Sequence, residues 1–280
     1  MSQTQSRFKP ILRALGLIGL ARWLKDGLQI RHFAQANREV QKKGAPDHLP
    51  LPPPRLLILS AGTPDLQWYL DSGKRGFGSI QSTLASARVK EPEVKEVLDF
   101  GCGSGRVIRY WQETGKKVHG CDIEKQAIDW CRDNLKFASF SVNPDMPPTS
   151  FRAKTFDLVY AFSVLTHMPE DFQMVWMSEF SRILRRGGYL LISTHGSRYF
   201  DQLDSLERDR FRRGELVVRG EKIGSNRLGS YQSEQHVRTR LSSGFEVALY
   251  IPGGALGNPE QDLVLFRREG TDQFSRSSKR

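Results

Sequence analysis

Ten consecutive residues constrain the fold of this chain more than any others: Val97-Leu98-Asp99-Phe100-Gly101-Cys102-Gly103-Ser104-Gly105-Arg106. A short, mostly apolar run leads into three glycines at alternate positions. Glycine reaches backbone conformations that other residues avoid, and without a Cβ it lets a ligand approach the main chain. A strand that enters such a turn and leaves it as a helix is the opening unit of a parallel α/β sheet.

The sequence beyond it keeps that rhythm. Residues 96–100, 117–122, 137–142, 156–162 and 189–194 read as strands, and helices are expected at 106–114, 124–135 and 169–184. Gly187 and Gly188 are expected to end the last of these helices. Residues 197–243 break the rhythm, with a charged helix expected at 201–213 and a small hairpin from 216–219 and 229–232 around a Gly-rich turn. Residues 245–251 and 262–266 read as two more strands, joined by a connection too short for a helical crossover, which favours antiparallel pairing. The expected fold class is α/β: a doubly wound, mostly parallel seven-stranded sheet with its last strand antiparallel, plus an N-terminal helical extension.

Charge separates the ends from the body. The net charge is +11 over 280 residues. Residues 1–60 hold ten basic against three acidic residues, and residues 267–280 hold five against two. The remainder is nearly neutral, so it offers no broad cationic face, and nucleic acid is not an expected partner. Residues 8–33 read as a basic amphipathic helix, with Ile11, Leu15, Ile18, Trp23, Leu24 and Leu28 at helical spacing. Such a helix packs on its own protein, docks on a partner or lies on an anionic membrane surface. Its uncharged run, residues 14–21, is too short to span a bilayer. Pro46, Pro50, Pro52, Pro53 and Pro54 suggest an extended linker, and residues 64–70 and 79–87 two short helical patches between glycines. The expected domains are a basic arm and linker (1–55), a helical lead-in (56–95), a ligand-binding domain (96–268, with 197–243 inserted on the substrate side) and a disordered basic tail (269–280). Three cysteines, Cys102, Cys121 and Cys131, are too few for a disulfide framework and suggest packing residues in a reducing, cytoplasmic setting. No cysteine–histidine cluster has metal-ligand spacing, and no metal is expected.

The glycine loop points to a class of ligand. Its spacing is GxGxG, whereas dinucleotide binding uses GxGxxG with a pyrophosphate on the helix N-terminus. Asp99 just before the loop would repel a phosphate and attract an ammonium group. Asp122, at the end of the second strand, can accept hydrogen bonds from both hydroxyls of a ribose. The pair suits a nucleoside with a cationic amino-acid end and no phosphate, a description that S-adenosylmethionine meets.

The sequence resembles the class I S-adenosylmethionine-dependent methyltransferases with the seven-stranded Rossmann-like fold. The resemblance rests on VLDFGCGSGR (97–106), VHGCDI (118–123), FDLVYAFSVLTHM (156–168), RILRRGGYLLISTHG (182–196) and QDLVLFRR (261–268), and covers roughly residues 94–268. It implies S-adenosyl-L-methionine as cofactor. Asp99, Gly101, Cys102 and Gly103 match the loop around its methionine part, Asp122 the ribose acid and Ile123 the apolar residue beside adenine. Asn143 falls where the family contacts the adenine edge, and Ala161 where a strand passes the methionine moiety. The lead-in at 52–76 resembles bacterial members found with glycan or secondary-metabolite genes, which suggests a small acceptor, glycan- or lipid-linked, methylated at oxygen.

Methyl transfer to a hydroxyl needs alignment and removal of a proton. His167 and His195 follow the fourth and fifth strands and are the candidate general bases, and His236 lies in the irregular region. Other methyltransferase chemistries lack their residues. None of the three cysteines follows a proline, as a pyrimidine-C5 nucleophile typically would. The fourth strand ends in Ala161-Phe162-Ser163, without an Asn/Asp-Pro-Pro-aromatic tetrad, and no carboxylates cluster at strand ends for a metal-dependent enzyme. A non-catalytic binding module and a nucleic-acid or protein methyltransferase remain as alternatives.

Overall fold

In the computed structural model residues 18–90, 93–220, 228–258 and 261–270 are described, and the chain divides after Leu70 into two compact units. Residues 8–17 of the helix expected at 8–33, the turn at 221–227 and the tail at 271–280 lie outside the described residues.

The first unit is helical. Helix α1 (Ile18–Lys43) ends at Gly44, whose left-handed backbone (φ 75°) lets its N–H return to Val40 O at 3.0 Å. Helix α2 (Pro54–Ala61) begins with a proline at its first position and ends at Gly62 (φ 75°). The expected proline linker therefore gives way to a helix start at Pro54. Val40, Ala45, Leu57, Leu66, Tyr69 and Leu70 form the core of this unit. The buried Asn37 amide donates to Pro64 O (2.8 Å) and accepts from Leu66 N–H (3.0 Å). It thereby satisfies an orphan N–H at the start of helix α3 (Leu66–Ser86).

Helix α3 corrects the expectation of two short patches. It runs unbroken through its three glycines, two of which serve close approach. A Cβ on Gly73 would lie 2.0 Å from Arg106 O, and one on Gly76 would lie 3.2 Å from Val107 Cγ2. The helix cost of glycine, about 1 kcal/mol each, is accepted where the backbone must pass.

The second unit is the expected seven-stranded sheet. Strands β1 (Glu96–Phe100), β2 (Lys117–Asp122), β3 (Ala138–Val142), β4 (Phe156–Ala161) and β5 (Leu184–Thr194) are parallel. The order is β3-β2-β1-β4-β5-β9-β8, and β9 (Gln261–Arg268) runs antiparallel to both β5 and β8 (Phe245–Ala255). Helix α4 (Lys125–Asn134) follows β2, and helix α5 (Glu170–Ile183) packs Trp176, Phe180 and Ile183 into the main core with Phe100, Val159 and Leu190. The charged segment splits into a 3-10 turn and helix α6 (Ser205–Arg212), started by a reciprocal Asp204–Glu207 capping box. β6 (Val217–Arg219) and β7 (Gly229–Tyr231) form the expected small antiparallel hairpin.

Two expectations fail here for local reasons. The helix at 106–114 is only a 3-10 turn, Ile108–Trp111. Val107, Ile108, Tyr110 and Trp111 are poor helix formers, and three of them are drawn into the core. Gly187 and Gly188 do not end α5, which stops at Ile183. They lie within β5, where register slips from Phe156↔Leu184 to Leu158↔Tyr189. Gly187 has φ 72°, and a Cβ on Gly188 would meet Arg185 O at 3.0 Å, so the irregularity requires glycine.

Strand order reverses between β1 and β4. A doubly wound sheet opens its ligand crevice at that switch point, outside the carboxyl ends of the strands.

Candidate functional site

The glycine loop leaves β1 at this switch point. Gly101, Gly103 and Gly105 all have positive φ (81°, 52° and 86°). The N–H groups of Gly101 and Cys102 both donate to Cys121 O on β2, at 2.8 and 3.0 Å. A Cβ on Gly101 would come within 2.4 Å of Val164 Cγ2, and one on Gly105 within 2.5 Å of Leu135 Cδ1. Cys102 turns its thiol inward toward Gly103 O, so it contributes loop path and no outward side chain. All three cysteines are free and buried.

Asp122 ends β2 and holds the loop. Its Oδ2 accepts the Gly103 N–H and its Oδ1 the Glu124 N–H, each at 2.8 Å. Burial raises its pKa, and those two N–H groups pull the other way. Each oxygen keeps a further lone pair for an incoming hydroxyl.

Asp99 is buried beneath the loop. Desolvation lifts its pKa to about 7, against the Tyr160 hydrogen bond and the Arg106 charge, which both lower it. Tyr160 in turn accepts from Trp111 Nε1 at 3.1 Å, and its own ionisation is suppressed by burial and by Asp99. Arg106 reaches across to Gly257 O (2.9 Å) and Asn258 Oδ1 (2.6 Å), tying the loop to the β8–β9 turn.

At the neighbouring strand ends the surface is apolar. Ile123, Val142 and Met146 are all at least 40% exposed. Asn143 is buried among them in sequence, its N–H on Asp122 O (2.9 Å) and its Nδ2 on Pro144 O (3.2 Å). Its Oδ1 has no partner among the described residues. An unpaired buried acceptor is costly, and a ligand amine would complete it. The Asp122 carboxylate, an apolar patch and an unpaired acceptor thus fit the ribose, ring and exocyclic amine of S-adenosylmethionine.

Ala161 lies wholly buried inside β4, and the chain first reaches the surface at Ser163. Ser163 is left-handed (φ 58°), a conformation that costs a residue with a Cβ about 1–3 kcal/mol and persists only under outside restraint. Here the restraint is a ring of hydrogen bonds. Ser163 N–H donates to Ser193 Oγ (2.7 Å), Ser193 Oγ–H to Gln261 Oε1 (2.6 Å) and Gln261 Nε2 to Ser163 Oγ (2.8 Å). Sequence reading missed this ring, Tyr160 and Arg106. Their partners lie 30 to 152 residues away, and no local pattern marks them.

His167 and His195 come together on the substrate side, their ring centroids 6.4 Å apart. His167 Nδ1 meets Leu228 O at 2.7 Å, and His195 Nδ1 meets Ser230 O at 3.2 Å, so the β6–β7 hairpin holds both rings. Tyr199 and Tyr231 flank His195 at 4.4 and 5.1 Å. Burial lowers the pKa of His167, and burial with the neighbouring His167 lowers that of His195 to about 4. His236 is not part of this group: it is fully buried, with Nδ1 on Gly214 O. Among the described residues no metal-binding group of three or more candidate ligands occurs.

Residues 98–192 match the Methyltransf_11 family model, a methyltransferase domain. The chain is 32% identical over 124 residues to a fatty-acid O-methyltransferase of Mycolicibacterium smegmatis, covering 43% of this chain and 44% of that protein. It is 27% identical over 103 residues to a ubiquinone biosynthesis O-methyltransferase of Coxiella burnetii, covering 36% and 43%. The chain thus spans less than half the length of these curated relatives. Its fold is shared with a solved S-adenosylmethionine-dependent methyltransferase from Clostridium acetobutylicum, at TM-score 0.51 and 11% identity over 70% of this chain and 92% of that one. Residues 98–192 are thus similar to a methyltransferase domain, and the sheet that carries them has the expected strand order.

Proposed function

We propose that this protein transfers a methyl group from S-adenosylmethionine to an oxygen of a small acceptor, glycan- or lipid-linked. The observation that carries the reading is Asp122, clamped between two backbone N–H groups beside an Asn143 Oδ1 that lacks a partner. Bound there, the cofactor would supply an electrophilic methyl group on its sulfonium. Asp122 holds the ribose hydroxyls, Asn143 takes the adenine amine and Ile123 covers the ring. Asp99 and the loop through Gly101, Cys102 and Gly103 surround the amino-acid end, with Ser163 and the end of β4 beside it. His167 Nε2 takes the acceptor proton and passes it to solvent. His195, with the lower pKa, is the poorer base and orients the acceptor.

Calorimetry with S-adenosylmethionine and S-adenosylhomocysteine tests the cofactor half of this reading. Micromolar binding in the wild type that falls at least tenfold in Asp122→Ala supports it; equal affinity in a folded variant overturns it.

We also propose that α1 rests on an anionic membrane surface, which would bring the enzyme to a lipid-linked acceptor. Leu20, Trp23, Leu24 and Leu28 are each more than half exposed on this helix, with Lys25 and Arg31 beside them. Among the described residues no helix is long and apolar enough to cross a membrane.

A further inference from the structure

We infer that the acceptor is a neutral, hydroxyl-bearing molecule that donates hydrogen bonds to Nε2 of His167 and His195, and that it is not a carboxylate. The inference rests on the methyltransferase reading above and names its substrate class.

The argument starts from what each imidazole touches. A backbone carbonyl can only accept. The contacts His167 Nδ1 to Leu228 O and His195 Nδ1 to Ser230 O therefore require a proton on both Nδ1 atoms. Desolvation disfavours a second proton on either ring. In a neutral imidazole with Nδ1 protonated, Nε2 carries a lone pair and accepts only. Among the described residues no polar group engages either Nε2. Both rings are half-buried, so the accessible nitrogen of each is that acceptor.

The hairpin thus sets the polarity of the acceptor pocket. Its carbonyls at Leu228 and Ser230 fix the tautomers, and Ser230 is itself anchored by its Oγ–H on Met168 O at 2.5 Å. An ionised carboxylate brings only lone pairs and would meet two more. Two hydroxyls, as in a catechol or a diol, bring one proton to each. The hairpin's cation, Arg219, does not reverse this, because its guanidinium is committed to Glu207 and to Gln202 O. The rings of Tyr199 and Tyr231 beside His195 add an apolar, aromatic wall suited to a flat acceptor such as a phenol.

Nitrogen-15 spectroscopy of histidine-labelled full-length protein, with S-adenosylhomocysteine present, tests this directly. Signals are assigned by their loss in His167→Gln and His195→Gln, each checked by thermal melting. The expected result at pH 7 is the neutral, Nδ1-protonated tautomer at both rings. Catechol should then shift both Nε2 signals, and octanoate should leave them in place. A proton on Nε2 of either ring overturns the inference, as does a response to octanoate in place of catechol. A second arm follows labelled methyl in turnover: a base-stable ether supports the inference, and a base-labile ester overturns it. Failure of the methyltransferase reading would show separately, as absence of S-adenosylhomocysteine binding in calorimetry, with the tautomers unaltered.

Discussion

Asp122 Oδ2 receives the Gly103 N–H at 2.8 Å, so one carboxylate both shapes the glycine loop and faces the ligand crevice. Its removal therefore has two consequences. Asp122→Ala leaves two N–H groups without their acceptor and deletes the proposed ribose partner. Hydrogen bonds to a charged group contribute about 1.5–3 kcal/mol, so S-adenosylmethionine affinity is expected to fall roughly 10- to 150-fold. The melting temperature should fall as well. Calorimetry and a thermal melt on one preparation check both.

Gly101 and Val164 form the second contact that fixes the site. A Cβ on Gly101 would lie 2.4 Å from Val164 Cγ2, at a φ of 81°. Gly101→Ala is expected to cost about 2–4 kcal/mol, part of it steric and part of it backbone strain. Adding Val164→Ala relieves only the steric part. The double variant should therefore melt above the value that additivity of the two single variants gives. Strict additivity would mean that the two residues do not press on each other.

Asp99 gives a pH dependence with a definite sign. Its carboxyl titrates near 3.8 when unfolded and near 7 when buried in the fold. The folded protein holds the extra proton between those values. This group's stabilising contribution is present below about pH 4, is lost as pH rises through 7, and changes no further above that. Asp99→Asn keeps an acceptor for Tyr160 and stands in for the protonated carboxyl, so denaturant melts of wild type and variant should agree at low pH and diverge as pH rises through 7, the variant becoming the more stable. A cationic ligand end favours ionised Asp99. Binding at pH 6 is then expected to release protons, measurable by calorimetry in two buffers of different ionisation enthalpy. A variant with the wild-type slope would remove Asp99 from this account.

The strands were legible because buried parallel strands are apolar and bounded by turn residues: β1 and β2 have the bounds that their patterns imply. The loop geometry around the proposed cofactor site was legible for a similar reason, since Asp99, the three glycines and Asp122 lie within 24 residues of one another. Gly73 and Gly76 of α3 misled because they meet Arg106 and Val107, which lie more than 30 residues on. The same distance hid the Ser163–Ser193–Gln261 ring. The histidines could be found as strand-end residues, but their tautomers depend on hairpin carbonyls that no sequence pattern reports.

The last prediction concerns α1. At 100° per residue, Leu20, Trp23, Leu24 and Leu28 fall within an arc of roughly 140°. Val40 and Asn37, which are buried in the first unit, project from the other side of the helix. Arg31, Arg38 and Lys42 are exposed and continue along the apolar arc, while Glu39 pairs with Lys42 at 3.2 Å. An apolar patch with an interfacial tryptophan, followed by cations, matches an anionic bilayer surface. Each cation near such a surface contributes about 1 kcal/mol, and that contribution weakens as salt rises. Full-length protein is expected to co-sediment with phosphatidylglycerol-containing vesicles at low salt and to be released at high salt. The variant with Trp23→Ala and Leu28→Gln should lose sedimentation and keep its melting temperature, because both side chains are more than half exposed. A wild type that ignores anionic vesicles, or a variant that melts several degrees lower, would show that this face serves packing and not a membrane.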